Sequence, residues 1–123
     1  MTLVDRFSDY YSSSLKENRA KNLFDNFGAN TLHLDLSNSE DVKSLQKSDF
    51  THIIHLAGQP GVRVTQFNQL DYLNDNITSF ANIVDLAVKL KVQNFIYASS
   101  SSIYQNAIKN PFSESEKLEI PTN

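Results

Sequence analysis

Four groups of acidic or small residues follow apolar runs in this chain, and each is of a type that can hold a ligand. Asp5 follows Leu3-Val4. Asp35, with Leu36 behind it, follows Thr31-Leu32-His33-Leu34. Gly58-Gln59 follows His52-Ile53-Ile54-His55-Leu56-Ala57, and a serine run at 99–102 follows Asn94-Phe95-Ile96-Tyr97-Ala98. A carboxylate in such a place can accept hydrogen bonds from a ligand, a glycine gives the backbone freedom, and serine hydroxyls can both donate and accept. Each group also has a plainer use. An aspartate after a strand forms turns and caps helices. Gly58 can simply relax a turn, and a serine cluster can be a hydrogen-bonded loop. His55 lies inside an apolar run, which suits a satisfied core histidine better than a base. His33 and His52 belong to strand patterns too, and the three histidines show no metal-ligand spacing. Tyr10, Tyr11, Tyr72 and Tyr97 read most simply as packing residues.

Strands alternating with helices would bring these groups together. Leu15, Leu23, Phe24 and Phe27 fall on one helical face, and Gly28 is placed to end that helix. Ser37 or Ser39 would cap a short helix carrying Val42 and Leu45. Leu70, Leu73, Ile77, Phe80, Val84, Ala87 and Leu90 stand at the spacing of one long helix, with Lys89 and Lys91 at its end, where the helix dipole favours cations. Alternation of this kind implies crossover connections and a parallel sheet. The two later strands are continuously apolar, as expected when both faces are covered. In an open parallel sheet, ligands bind outside the carboxyl ends of the strands, so the four groups would share one rim.

The composition narrows the function classes. With 123 residues, 40% of them hydrophobic and 11% aromatic, the chain suits one domain with a real core. A net charge of −3 argues against a general nucleic-acid binder. There is no cysteine, which excludes disulfides, thiol catalysis and cysteine-ligated zinc. No apolar run approaches the roughly 18 residues of a membrane span, and the first residues do not resemble a secretion signal. A cytoplasmic protein is expected. Three glycines are few for a complete nucleotide-binding domain.

The segments Val4-Asp5-Arg6-Phe7-Ser8-Asp9-Tyr10-Tyr11, Leu34-Asp35-Leu36 and Ile54-His55-Leu56-Ala57-Gly58-Gln59-Pro60-Gly61-Val62-Arg63 occur in that order. Asn76 and Asn82 follow on the long helix, then Tyr97-Ala98-Ser99-Ser100-Ser101-Ser102-Ile103-Tyr104 and, more weakly, Pro111-Phe112-Ser113-Glu114. Together they resemble the extended short-chain dehydrogenase/reductase family of NAD-dependent epimerases and dehydratases, most of all its UDP-glucuronate 4-epimerases. The resemblance implies an α/β fold: a doubly wound, Rossmann-type parallel sheet with NAD as cofactor and a UDP-sugar as substrate. It implies that Asp5 accepts hydrogen bonds from the adenosine ribose and disfavours the extra phosphate of NADP. Asp35 and Leu36 would border the adenine. Ala57 and Gly58 would let the cofactor approach, with Gln59, Asn76 and Ser99 also beside it. Ser100 would hold the reacting sugar hydroxyl, with Ser102 a neighbouring polar position. Gly61, Val62 and Arg63 would lie near the sugar nucleotide; for Arg63, pairing with anionic substrate oxygens competes with a surface salt bridge. In the family mechanism a tyrosine, its pKa lowered by a lysine four residues on, takes the hydroxyl proton. Hydride passes to the nicotinamide, the keto sugar turns over, and hydride returns to its other face.

The departures from the family pattern carry expectations of their own. Gly58 and Pro60 stand where relatives often carry alanine, and Gln105 replaces a frequent glycine. The opening strand and glycine-rich turn of the family pattern have no counterpart ahead of the Leu3-Val4-Asp5 strand, and no lysine lies four residues after Tyr104, where Ile108 stands. Residues 1–123 are therefore expected to be a partial NAD-binding domain without the substrate region, missing the central strand and inactive by themselves. Repair of such a gap would come from direct pairing of the flanking strands, from strand exchange in a homodimer, or from a partner. The rival readings are a nucleotide-sugar dehydratase or decarboxylase fragment, against which Ser101 and Ser102 argue, and a non-catalytic remnant or interaction module.

Overall fold

A computed structural model describes residues 1–60, 69–104 and 111–114. It contains four short strands: β1 at Thr2–Asp5, β2 at Asn30–His33, β3 at His52–His55 and β4 at Asn94–Tyr97. β1 and β2 run parallel with Asp5 opposite His33, and β3 and β4 run parallel with His55 opposite Tyr97. The pairs form separate two-stranded sheets, so β1 and β3 share no ladder. Parallel neighbours need a crossover. Helix α1, Ser13–Phe27, joins β1 to β2, and α4, Ser79–Leu90, lies between β3 and β4.

The helix ends follow local chemistry. α1 stops at Gly28, whose φ of 62° puts it in the left-handed region while its N–H donates to the Phe24 carbonyl at 2.8 Å. α2, Ser39–Ser44, is capped by Asn38, whose side chain accepts from the Glu40 N–H at 2.9 Å. The cap is thus neither Ser37 nor Ser39 but the residue between them. Ser37 is already committed, giving its N–H and its hydroxyl to Asp35.

The expected long helix is interrupted. α3, Gln69–Leu73, passes into a π-helical turn at Asn74–Thr78 before α4 begins. A π turn is wider than an α turn, so it shifts the phase of everything that follows. The buried line of α4 runs through Ser79, Ile83, Leu86 and Ala87. Leu70, Leu73 and Ile77, placed by simple periodicity on the same stripe, are exposed, as is Val84.

The core forms where α2 and the 3₁₀ turn after it meet α4: Val42, Leu45, Ile83 and Leu86 are buried together. Val4, Leu32, Ile53 and Phe95, one from each strand, pack against them, so a single helical layer carries both sheets. Full burial of a side chain like Leu86 contributes about 1.5–3 kcal/mol. Coverage of both faces, expected for β3 and β4, holds for one face only among the described residues. His55 is buried, whereas the ladder partners Ile54 and Ile96 remain 64% and 55% exposed. Successive strand residues point to opposite faces, and only one face of this pair meets α4. Among the described residues no helix is long and apolar enough to cross a membrane.

Candidate functional site

β1 delivers Asp5 at its carboxyl end. The carboxylate turns back on its own chain, with Oδ1 accepting the Phe7 N–H at 2.7 Å. This local turn carries Phe7 to a φ of 51°, a conformation that costs a bulky residue about 1–2 kcal/mol. The Phe7 ring meets His33 edge-on at 5.3 Å, and His33 Nε2 lies 2.8 Å from the Arg6 carbonyl, which makes Nε2 the donor. Asp5 Oδ2 has no partner among the described residues.

Asp35 follows β2 and is heavily engaged. Its Oδ1 accepts the Ser37 N–H at 2.8 Å and the Ser37 hydroxyl at 2.7 Å, while Oδ2 lies 3.5 Å from Arg6 Nη1. Its own N–H donates to Asp41 at 2.8 Å. Burial by itself would push this carboxyl up, but the Ser37 hydrogen bonds and the Arg6 guanidinium together hold it below its ordinary value. Arg6 makes its stronger contact elsewhere, with Nη2 2.7 Å from Asp75 Oδ2 in the π turn. Burial raises the Asp75 pKa; Arg6 opposes that shift, and the charges of Asp35 and Asp71 add to it. Asn82 donates to the carbonyls of Leu36 at 2.9 Å and Ser37 at 3.2 Å, tying the end of β2 to α4.

The segment after β3 is held by Asn76. Its Oδ1 accepts the Gln59 N–H at 2.9 Å and its Nδ2 donates to the Gln59 carbonyl at 3.3 Å and the Tyr72 carbonyl at 3.1 Å. A Cβ on Gly58 would stand 2.8 Å from Asn76 Oδ1. The missing side chain of Gly58 therefore makes room for a carboxamide of the protein itself. The Tyr10 hydroxyl donates to the Pro60 carbonyl at 3.3 Å, linking the segment after β1 to the segment after β3. Lys16, buried, secures the first of these segments: its Nζ donates to the Ser8 carbonyl at 2.6 Å and the Ser8 hydroxyl at 2.9 Å, and lies over the Tyr11 ring at 4.3 Å.

After β4 the ladder continues by one bond, from the Ala98 N–H to the His55 carbonyl at 3.1 Å, so the serine run leaves the sheet beside the exposed Leu56, Ala57 and Gly58. Ser100 Oγ accepts the Ser102 N–H at 3.2 Å and donates to Ser102 Oγ at 3.1 Å, at the head of a 3₁₀ turn over Ser101–Tyr104. Both side chains, like that of Ser99, are exposed.

The contacts Arg6–Asp35, Arg6–Asp75, Asn76–Gln59 and Tyr10–Pro60 bring the ends of β1, β2 and β3 to one rim, and the β3–β4 ladder adds the serines. Gly61, Val62 and Arg63 lie outside the described residues. His55 is buried against Phe80, the ring centres 5.6 Å apart, and makes no hydrogen bond through its imidazole among the described residues. It is a core residue, though without the polar partner expected of one. Arg6 and Asp75 were not legible as a pair in the sequence. They stand 69 residues apart, and the only hint was the position of Arg6 directly after Asp5. Among the described residues, no group of three or more His, Asp or Glu side chains is placed to hold a metal ion.

Several known proteins are similar to this chain. The profile of the NAD dependent epimerase/dehydratase family matches residues 2–123. Protein CapI of Staphylococcus aureus is 38% identical over 120 residues, covering 96% of this chain and 35% of its own length. UDP-glucuronate 4-epimerase 4 of Arabidopsis thaliana is 37% identical over 122 residues, covering 98% of this chain and 28% of its own. The UDP-Glc/GlcNAc 4-epimerase of Campylobacter jejuni superposes with a TM-score of 0.72 at 24% identity, over 96% of this chain and 35% of that one, and so shares the fold. The chain thus spans about a third of the length of the proteins it matches.

Proposed function

The chain belongs to the NAD dependent epimerase/dehydratase family, and on that premise we propose that it forms part of a cytoplasmic nucleotide-sugar epimerase whose substrate is a UDP-sugar. The observation that carries the proposal is the shared rim, with a carboxylate at one strand end and paired serine hydroxyls at another. NAD fits the first half of that rim. Asp5 Oδ2, without a partner among the described residues, is an acceptor suited to ribose hydroxyls. Asp35 and Leu36 would flank the adenine, and Ala57, Gly58, Gln59, Asn76 and Ser99 would line the path towards the nicotinamide. When bound, NAD supplies the acceptor and donor of hydride.

The remaining work is orientation and proton handling by side chains. The exposed Ser100 hydroxyl, aligned by the Ser102 N–H, would hold the sugar hydroxyl at the reacting carbon. Gly61, Val62 and Arg63 would meet the sugar nucleotide. None of the five tyrosines has a lysine four residues on, so the chain by itself would bind ligands without turning them over.

A chimera tests this. Residues 1–123 replace the matching segment of a UDP-glucuronate 4-epimerase, and conversion of UDP-glucuronate is followed by NMR. The expected result is an active chimera whose kcat falls roughly 100-fold on Ser100→Ala. A folded, NAD-binding chimera with kcat untouched by that substitution would remove Ser100 from the site.

A further inference from the structure

Arg6 has no role in the reading above, yet it stands beside the residue most central to it. An arginine at the tip of such a strand is suited to a phosphate on the adenosine ribose. Here the guanidinium is directed elsewhere, 2.7 Å from Asp75 and 3.5 Å from Asp35. The Asp75 side chain is only 11% exposed, which separates this contact from a screened surface pair. Asp75 itself sits on a fixed platform: it belongs to the π turn, its carbonyl accepts the Ser79 hydroxyl, and the next residue, Asn76, is clamped to Gln59. Two carboxylates thus hold one guanidinium. Asp5, Asp41 and Asp71 add further negative charge around them, and a single guanidinium does not neutralise this edge of the rim, a field that repels a phosphate.

We propose that Arg6 is a restrained cofactor-specificity residue. Asp75, with Asp35 as second partner, keeps the guanidinium away from the ribose side of Asp5, so the rim accepts adenosine with a free 2′-hydroxyl and rejects its 2′-phosphate. The inference rests on the rim being an adenosine site, as the proposed function requires. Releasing Arg6 changes both factors at once. It removes a negative charge, and it frees a long side chain whose planar donor fork matches phosphate oxygens.

The test needs only the adenosine half of the cofactor. NMR titrations of the chain with 5′-AMP and with adenosine 2′,5′-bisphosphate give the affinity ratio for the 2′-phosphate. The natural chain should prefer 5′-AMP. Asp75→Asn should shift the ratio towards the bisphosphate by about tenfold, and adding Arg6→Ala should return it to the starting value. Asp35→Asn should move it the same way by less, which keeps the test decisive if Asp75→Asn does not fold. An unchanged ratio in a folded Asp75→Asn protein, or a gain that survives Arg6→Ala, overturns the inference alone. If 5′-AMP leaves the rim resonances of the natural chain unmoved, the adenosine site itself falls and takes this inference with it.

Discussion

His55 shows how one buried side chain couples this protein to pH. The residue is 8% exposed, and its imidazole packs on Phe80 and finds no hydrogen-bond partner among the described residues, so burial pushes its pKa below the ordinary 6.5. The folded value lies under the unfolded one. As pH falls, the unfolded chain therefore takes up the proton first. Its contribution to stability is complete above about pH 6.5 and drains away as pH falls towards the folded pKa. His55→Leu removes the titration and keeps an apolar filling. The variant should lose that part of the slope when urea midpoints are compared around pH 8 and around pH 5. Identical slopes in the two proteins would assign the effect elsewhere. At lower pH, Asp35 and Asp75 act in opposite senses. The lowered Asp35 pKa gives stability that is lost as pH falls through its folded value, below 3.8. The raised Asp75 pKa means that protonation, as pH falls through a folded value above 3.8, relieves a strain of burial.

The π turn is the element on which the rim depends. By widening the helix at Asn74–Thr78 it presents Asp75 to Arg6 and Asn76 to the Gln59 peptide from adjacent positions. Gly58 is part of the same device, since a Cβ there would press on Asn76 Oδ1 at 2.8 Å. Gly58→Ala should therefore displace the carboxamide and expose the half-buried Gln59 amide, costing about 1–2 kcal/mol. In an Asn76→Ala background the same change should cost little, because the obstructing oxygen is gone. Hydrogen exchange at Gln59 reports the clamp directly, and denaturant unfolding completes the cycle. Additive costs for the two substitutions would show that Gly58 and Asn76 do not share this contact. Little of this was legible beforehand. The sequence pattern announced a helix through Leu70 and Leu90, but an inserted π turn leaves no period of its own and merely moves the stripe, so Ile83 and Leu86 took the core.

On the scale of the whole molecule, two parallel strand pairs rest on one helical layer and do not pair with each other. Among the described residues β1 and β3 each keep an unpaired edge, and the second sheet shows Ile54 and Ile96 at 64% and 55% exposure, with Leu56 just after β3 at 72%. Unpaired edges beside apolar surface invite association with another chain. Sedimentation of the 123-residue chain should show a mass that rises with concentration, and Ile54→Lys with Ile96→Lys should lower it while the circular dichroism is kept. A monomer at all concentrations, with every strand amide protected from exchange, would contradict that expectation. The sequence by itself determined the order of strands and helices and the chemistry of their ends: Asp5, Asp35, Gly58 and the serine run are all local features, readable because alternation, helical period and turn residues act over a few neighbours. Only the tertiary structure decided that Arg6 answers to Asp75 rather than standing free, that the space at Gly58 belongs to Asn76, and that one face of β3 and β4 lies open. Those outcomes depend on how distant elements pack, and a contact between residues 69 positions apart leaves no mark in the pattern around either of them.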